Sequence, residues 1–168
     1  MSDESDPKAI VSLRPAEPLD RRFFFGLYAD TRLDEVAAFG WNDMQTAAFL
    51  QMQFEARQSA YRLQYPHSED YVVLRDNEPA GRLITDRSNA PIVIVDIAIA
   101  AEFRRQGLAS HLIRNLQAEA SVDDRDILLR VDMQNAGAFE LYRTMGFEVT
   151  GENQIMYSML WKKDDVYK

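Results

Sequence analysis

One stretch limits the fold more than any other. Residues Ile92 to Ile99 read IVIVDIAI, a nearly continuous run of aliphatic, mostly β-branched side chains. Such a run predicts a central strand covered on both faces. It passes into a polar loop holding Arg104, Arg105 and Gln106, then Gly107, and helical spacing starts at once with Leu108, Leu112, Ile113 and Leu116. A buried strand that feeds directly into a helix belongs to a layered α/β architecture. A helix start exposes unpaired backbone N–H groups and the positive end of the helix dipole. Two arginines and a glycine at that point describe an anion site, best suited to a phosphate or pyrophosphate. Gly107 has no Cβ, so such a group can approach the backbone closely, and Ala109 is small for the same reason. The same residues also fit an ordinary strand–loop–helix whose glycine merely relieves a turn.

The surrounding periodicity fills in the layers. Met1 to Lys8 reads as a disordered tail, and residues 9–168 as a single domain. Ile10 to Leu13 is a short strand, broken by Pro15 and Pro18. Asp20 can cap a helix from Arg21 to about Phe39, with Phe24, Leu27, Tyr28 and Leu33 inward and Gly40 as its stop. Asn42 or Asp43 can cap a second helix to about Leu63, with Met44, Ala47, Phe49, Leu50, Phe54 and Tyr61 inward. Strands follow at Tyr71–Leu74 and Gly81–Thr85 around an Asp76-Asn77-Glu78 turn. Beyond the Gly107–Ala120 helix come a strand at Ile127–Val131 and a helix at Ala136–Met145 ended by Gly146. Phe147–Val149 and Ile155–Trp161 close the chain as an antiparallel pair. The expectation is an α/β (α+β) fold: a mixed central sheet of six or seven strands with helices on both faces.

Composition removes whole classes of function. There is no cysteine, so there is no disulfide, thiolate metal site or cysteine nucleophile. The two histidines, His67 and His111, cannot build a histidine-rich zinc site, and no metal is expected. Lys and Arg total 19 against 27 Asp and Glu, for a formal charge of −8. That balance argues against nucleic acid as a partner and favours a cationic one. No apolar run approaches the roughly 20 residues of a membrane span. The acidic opening MSDESDPK does not read as a signal peptide. A cytoplasmic protein without a membrane partner is the expectation. The loop lacks Gly-x-x-x-x-Gly-Lys, which sets aside a nucleoside-triphosphate site. Ser110 and His111 are adjacent on a helix and point apart, which sets aside a hydrolase triad.

Two segments carry a more specific likeness. Arg104-Arg105-Gln106-Gly107-Leu108-Ala109 matches the (Gln/Arg)-x-x-Gly-x-(Gly/Ala) signature of the GNAT superfamily of N-acetyltransferases. Asn135-Ala136-Gly137-Ala138-Phe139-Glu140-Leu141-Tyr142-Arg143-Thr144-Met145-Gly146-Phe147 resembles the family's second signature, with one strand between the two. The element order is also the family's. The segment from Phe54-Glu55 to Gly81-Arg82-Leu83 resembles small bacterial members of unassigned substrate. The resemblance implies the GNAT acyl-CoA N-acyltransferase fold, with acetyl-CoA as co-substrate held where two parallel strands splay apart. By similarity, Val95 to Ile99 would offer backbone groups to the pantetheine arm, Ile97, Ala98 and Ile99 foremost. The amides of Gln106, Gly107, Leu108, Ala109 and Ser110 would hold the pyrophosphate, with Arg104 and Arg105 near the phosphates and the adenosine end. Asn135 would bond the pantetheine chain or cap its own helix. Tyr142 takes the place of the general acid near the CoA sulfur, or is a core aromatic.

The general base is less clear from the residues. Some members carry a glutamate on the central strand where this chain has Val93. Asp96 is the only charge in the Ile92–Ile99 run. It is either a substrate or water-relay group or a paired structural carboxylate. Glu55 either grips a cationic substrate or lies on a solvated helix face. The function implied is transfer of an acetyl group to a primary amine, on a small molecule or peptide, by direct attack in a ternary complex. The alternative is a non-catalytic member that binds acyl-CoA or a protein partner on the same scaffold. The acceptor would be set by the first two helices and the final hairpin. Dimers are common in the family, and the strands near Ile155–Trp161 are where a homodimer would form.

Overall fold

The computed structural model describes residues 8–164. The expected tail, Met1 to Lys8, lies outside the described residues except for Lys8 itself. In chain order the elements are β1 (Val11–Pro15), α1 (Arg21–Ala37), α2 (Asp43–Gln64), β2 (Glu69–Arg75), β3 (Glu78–Asp86) and β4 (Ile92–Ile99). They continue with α3 (Leu108–Val122), β5 (Ile127–Asp132), α4 (Ala136–Thr144), β6 (Glu148–Glu152) and β7 (Met156–Trp161). The strands form one sheet of seven in the order β1-β2-β3-β4-β5-β7-β6. Every neighbouring pair is antiparallel except β4 and β5, which α3 connects as a crossover. The β2–β3 turn needs positive φ at both central residues, and Asp76 (φ 50°) and Asn77 (φ 66°) supply it. This is the mixed sheet with helices on both faces that the periodicity implies.

Side-chain alternation along β3 assigns the helices to faces. Arg82 points to one face, where its guanidinium lies 4.2 Å from the centre of the Phe24 ring in α1 and bonds Gln58 in α2. Leu83 points to the other and lines a hollow with Leu112 and Leu116 of α3. The core between these layers includes Phe54, Leu83, Ile92, Ile113, Ile127, Leu129, Phe147 and Met159, all 2% exposed or less.

The feature that positions the site is in the middle of β4. Its parallel ladder with β5 is short, Ile92 to Ile94 against Ile127 to Leu129. Beyond that, β4 continues to Ile99 on β3 alone, while β5 continues on β7. The register with β3 slips there too: Ile94 faces Thr85 and Asp96 faces Ile84, so Val95 has no partner. This is a β-bulge, which bends a strand and locally disrupts its ladder. The expectation that both faces of β4 are covered therefore holds only for one face of its first half, since Val93, between Ile92 and Ile94, is itself half-exposed. Ile92 and Ile94 are buried, whereas Val95 to Ile99 are half-exposed.

Other expectations need correcting. Asp20 does not cap α1. Its carboxylate belongs to the preceding turn, accepting from Arg14 and from the Glu17 amide. Leu33, Met44 and Ala47 are exposed, not inward. They lie toward the α1–α2 turn, where Phe39, Trp41 and Phe49 pack on each other at 4.9–6.5 Å and not on the sheet. Asn42 does cap α2, accepting from the Gln45 amide at 2.8 Å.

Gly81 lies opposite Ile99, and a Cβ there would collide with the carbonyl oxygen of Ala98. Gly81→Ala is therefore expected to displace the end of β4. The cost of such overpacking is about 1–3 kcal/mol, or a fall of about 2–12 °C in Tm by calorimetry. An unchanged Tm would mean the two strands can separate freely at this point.

Candidate active site

The loop after β4 is held from within. Phe103 is buried and anchors a short 3-10 turn at Ala101–Phe103. Arg104 Nε donates to the Ile99 carbonyl at 3.0 Å, and the Gln106 side chain donates from Nε2 to the Glu102 carbonyl at 3.0 Å. Arg105 (φ 61°) and Gly107 (φ 78°) are both left-handed, which curls the intervening backbone around its own N–H groups. Gly107 is the N-cap of α3 and offers no side chain to satisfy the first turn. Among the described residues, the amides of Arg105, Gln106, Gly107, Leu108, Ala109 and Ser110 donate to no protein acceptor. An isolated helix start leaves only its first turn unpaired; here the unpaired run begins in the loop before it.

Next to this loop is a hollow of about 200 Å³ lined by Ile99, Phe103, Leu108, Ser110 and Leu141 among others. A Cβ built at Gly107 meets no atom within 4 Å, so the space above the cradle is open. Arg104 and Arg105 are exposed at its rim. The cradle has the donors, the positive charge and the clearance that a diphosphate requires. Continuing from it, Ile97, Ala98 and Ile99 pair with β3 and have no strand on their β5 side. They present free backbone edges to the wedge.

On the α1–α2 face, Asp96 follows the bulge. Its carboxylate is 3.8 Å from Arg57 of α2. Burial pushes the Asp96 carboxyl up, against the pull of the Arg57 and Arg82 charges. Tyr61, whose hydroxyl accepts from Arg57 Nε at 2.6 Å, is pushed up to about 12 by burial and by the Asp96 charge. Tyr142 of α4 is 7% exposed, and burial followed by the Asp96 charge pushes its phenol up as well. Its hydroxyl makes no hydrogen bond among the described residues, yet no fully enclosed side-chain polar atom there lacks a partner. The Tyr142 oxygen is therefore not fully enclosed, and it lies within reach of the Asp96 charge.

The structure thus brings Asp96, Arg57, Tyr61 and Tyr142 into one neighbourhood and sets Gln106 to Ser110 in another, with Ile97 to Ile99 between them. Glu55 is not part of it: the Glu55 carboxylate takes bonds from Arg21 and Gln51 on the helix surface. Asn135 caps α4, accepting from the Ala138 amide at 3.1 Å. Arg57, and Tyr28 whose ring centre lies 5.9 Å from its guanidinium, belong to this neighbourhood and were not among the expected residues. Arg57 lies on the same stripe of α2 as Phe54 and Tyr61, three and four residues away, so a charge on an otherwise apolar stripe was the available signal. Among the described residues no cluster of His, Asp and Glu is placed to hold a metal ion, and no helix is long and apolar enough to cross a membrane.

Comparison with known proteins bears on this arrangement. The family described as acetyltransferase (GNAT) domain matches residues 32–161. The chain is 37% identical over 67 residues to N-acetyltransferase 8B of Rattus norvegicus. That match covers 39% of this chain and 29% of the relative, so the chain aligns with less than a third of that protein. Among solved structures, the PaiA N-acetyltransferase of Thermoplasma acidophilum in complex with coenzyme A superposes with a TM-score of 0.67 at 11% identity, covering 91% of this chain and 99% of that one. The ribosomal-protein-S18-alanine N-acetyltransferase of Escherichia coli gives 0.60 at 17% identity, over 95% and 100%. At these identities the structural matches speak to the fold alone.

Proposed function

Because the chain belongs to the GNAT acetyltransferase family, we propose that it transfers the acetyl group of acetyl-CoA to a primary amine. The observation that carries this reading is the run of unpaired amides from Arg105 to Ser110, which opens beside the gap between β4 and β5. The coenzyme A held by the Thermoplasma acidophilum protein and the activity named for the rat relative support it.

Acetyl-CoA supplies an acyl group already activated as a thioester. The amides of Gln106 to Ser110, with Arg104 and Arg105, hold the diphosphate by charge-assisted hydrogen bonds. Ile97, Ala98 and Ile99 receive the pantetheine arm as a sheet edge receives an added strand. A free N–H on that edge polarises the acyl carbonyl. Asp96 draws the acceptor ammonium toward the wedge and takes up a proton, directly or through water, so that the amine attacks in its neutral form. Tyr142 would donate its proton to the sulfur as the C–S bond breaks and the N–C bond forms, and its phenolate would regain a proton, through water, from the nitrogen as that becomes the amide. Asn135 serves as the cap that fixes the start of α4, and so the placement of Tyr142.

Calorimetric titration with CoA and thiol release across a panel of amines test the proposal. CoA binding with release for at least one amine is the expected result. Absence of CoA binding would reject it, and binding without release would leave an acyl-CoA-binding module.

Asp96 yields a prediction with two signs. An acid whose native pKa lies above its unfolded value binds protons on folding. Its penalty is absent below the ordinary carboxylate range and grows as pH rises through the raised native value. Asp96→Asn is therefore expected to melt no lower than the native protein at pH 7, with the difference closing toward pH 3. Its kcat/KM is expected to fall, by about 10²-fold for loss of a general base. The native kcat/KM is expected to rise with pH through that same raised value. Lower stability and unchanged activity would make Asp96 a structural partner of Arg57.

A further inference from the structure

Two arginines face the α1–α2 side near Asp96, and they differ in one respect. Arg82 is committed on one edge: Nε and Nη2 donate to the Asp70 carboxylate at 2.9 and 2.6 Å, and Nη2 also reaches Gln58 at 2.7 Å. It is 7% exposed and lies over the Phe24 ring. Arg57 is fixed but open. Its Nε donates to the Tyr61 hydroxyl, and its guanidinium lies 5.4 Å from the Tyr61 ring centre and 5.9 Å from that of Tyr28. Among the described residues, neither of its terminal nitrogens makes a hydrogen bond. The contact with Asp96, at 3.8 Å, is an ion pair too long for one. The side chain is 39% exposed, and that of Asp96 22%.

The geometry is therefore a rigid guanidinium fork with free terminal donors, next to a carboxylate that, among the described residues, makes no side-chain hydrogen bond. Arg is the side chain whose planar fork matches a carboxylate in two parallel hydrogen bonds. A single small molecule with both an ammonium and a carboxylate would complete both halves of this loose pair. A simple amine or polyamine would compete with Arg57 for Asp96 and bring no counter-charge for the guanidinium.

We propose that the acceptor is an α-amino acid, its amine held by Asp96 and its carboxylate by Arg57. This deepens, and rests on, the acetyltransferase reading. It narrows the expectation drawn from net charge: the acidic chain attracts amines in general, and Arg57 selects among them those that carry a carboxylate. Tyr61 and Tyr28 are positioning residues that hold the fork still.

The test compares L-leucine, L-phenylalanine and L-lysine with their amides and with isoamylamine, phenethylamine and cadaverine. Thiol release gives kcat/KM, and calorimetry on the CoA-loaded protein gives Kd. Each amino acid is expected to exceed its amide and its decarboxylated counterpart by at least about tenfold, the equivalent of one charged hydrogen bond. Arg57→Gln is expected to abolish that preference, and Arg57→Lys to retain part of it, since the charge remains without the fork. Melting temperatures of both variants report whether the fold is intact. Amides or plain amines performing as well as the acids in the native protein would overturn the proposal, as would no amino acid binding at all. If CoA binds normally in that case, only the acceptor assignment fails; if CoA does not bind, the acetyltransferase reading fails with it.

Discussion

Tyr142→Phe is expected to lower kcat by about 10²-fold, the usual contribution of a positioned general acid, and to leave the affinity for CoA unchanged. The substitution removes one oxygen and keeps the ring, which packs 6.0 Å from Phe147. The core is preserved, so stability is not expected to fall: the hydroxyl makes no hydrogen bond within the protein that its loss would break. Burial and the charge of Asp96 push the native phenol above its ordinary range, so no alkaline loss of activity from this group is expected near pH 10. An unchanged kcat in the phenylalanine variant would remove Tyr142 from the chemistry.

Gly107→Val should act in the opposite way, on binding and not on turnover. A β-branched residue at φ 78° carries strain of order 1–3 kcal/mol, so a modest fall in Tm is expected. The added Cβ meets no protein atom within 4 Å, and the valine side chain is expected to take up the open space beside the cradle's amides. Loss of even two charge-assisted hydrogen bonds at about 1.5 kcal/mol each weakens binding roughly a hundredfold. Calorimetry should show the loss of CoA affinity while the circular dichroism spectrum stays native. Native-like affinity would place the diphosphate elsewhere.

What could be read from the residues and what could not follow different physics. The β4 run, the loop and the start of α3 were legible because each is local: aliphatic continuity, turn chemistry and helical spacing all act within a few residues. The bulge at Val95 was not, because it arises from the register between β4 and β3 and nothing in IVIVDIAI encodes it. The loose pair of Asp96 and Arg57 has the same cause, since it joins a helix and a strand far apart in the chain. Asn135 could be read two ways because the same side chain that bonds a ligand also caps helices well, and only the geometry shows the cap. Met44 and Leu33 were misplaced because helical spacing tells which residues share a face. It does not tell how far that face overhangs the sheet.

The seam between β4 and β5, three residue pairs long, has a consequence for cohesion. The strands on one side, from β1 to β4, and those on the other, from β5 to β7, are otherwise separate ladders. Under the proposed function, a guest lodged in the notch where they diverge would act as a keystone, extending the seam with its own hydrogen bonds. Occupancy and mechanical integrity are then one equilibrium, and the loaded protein is the tougher one.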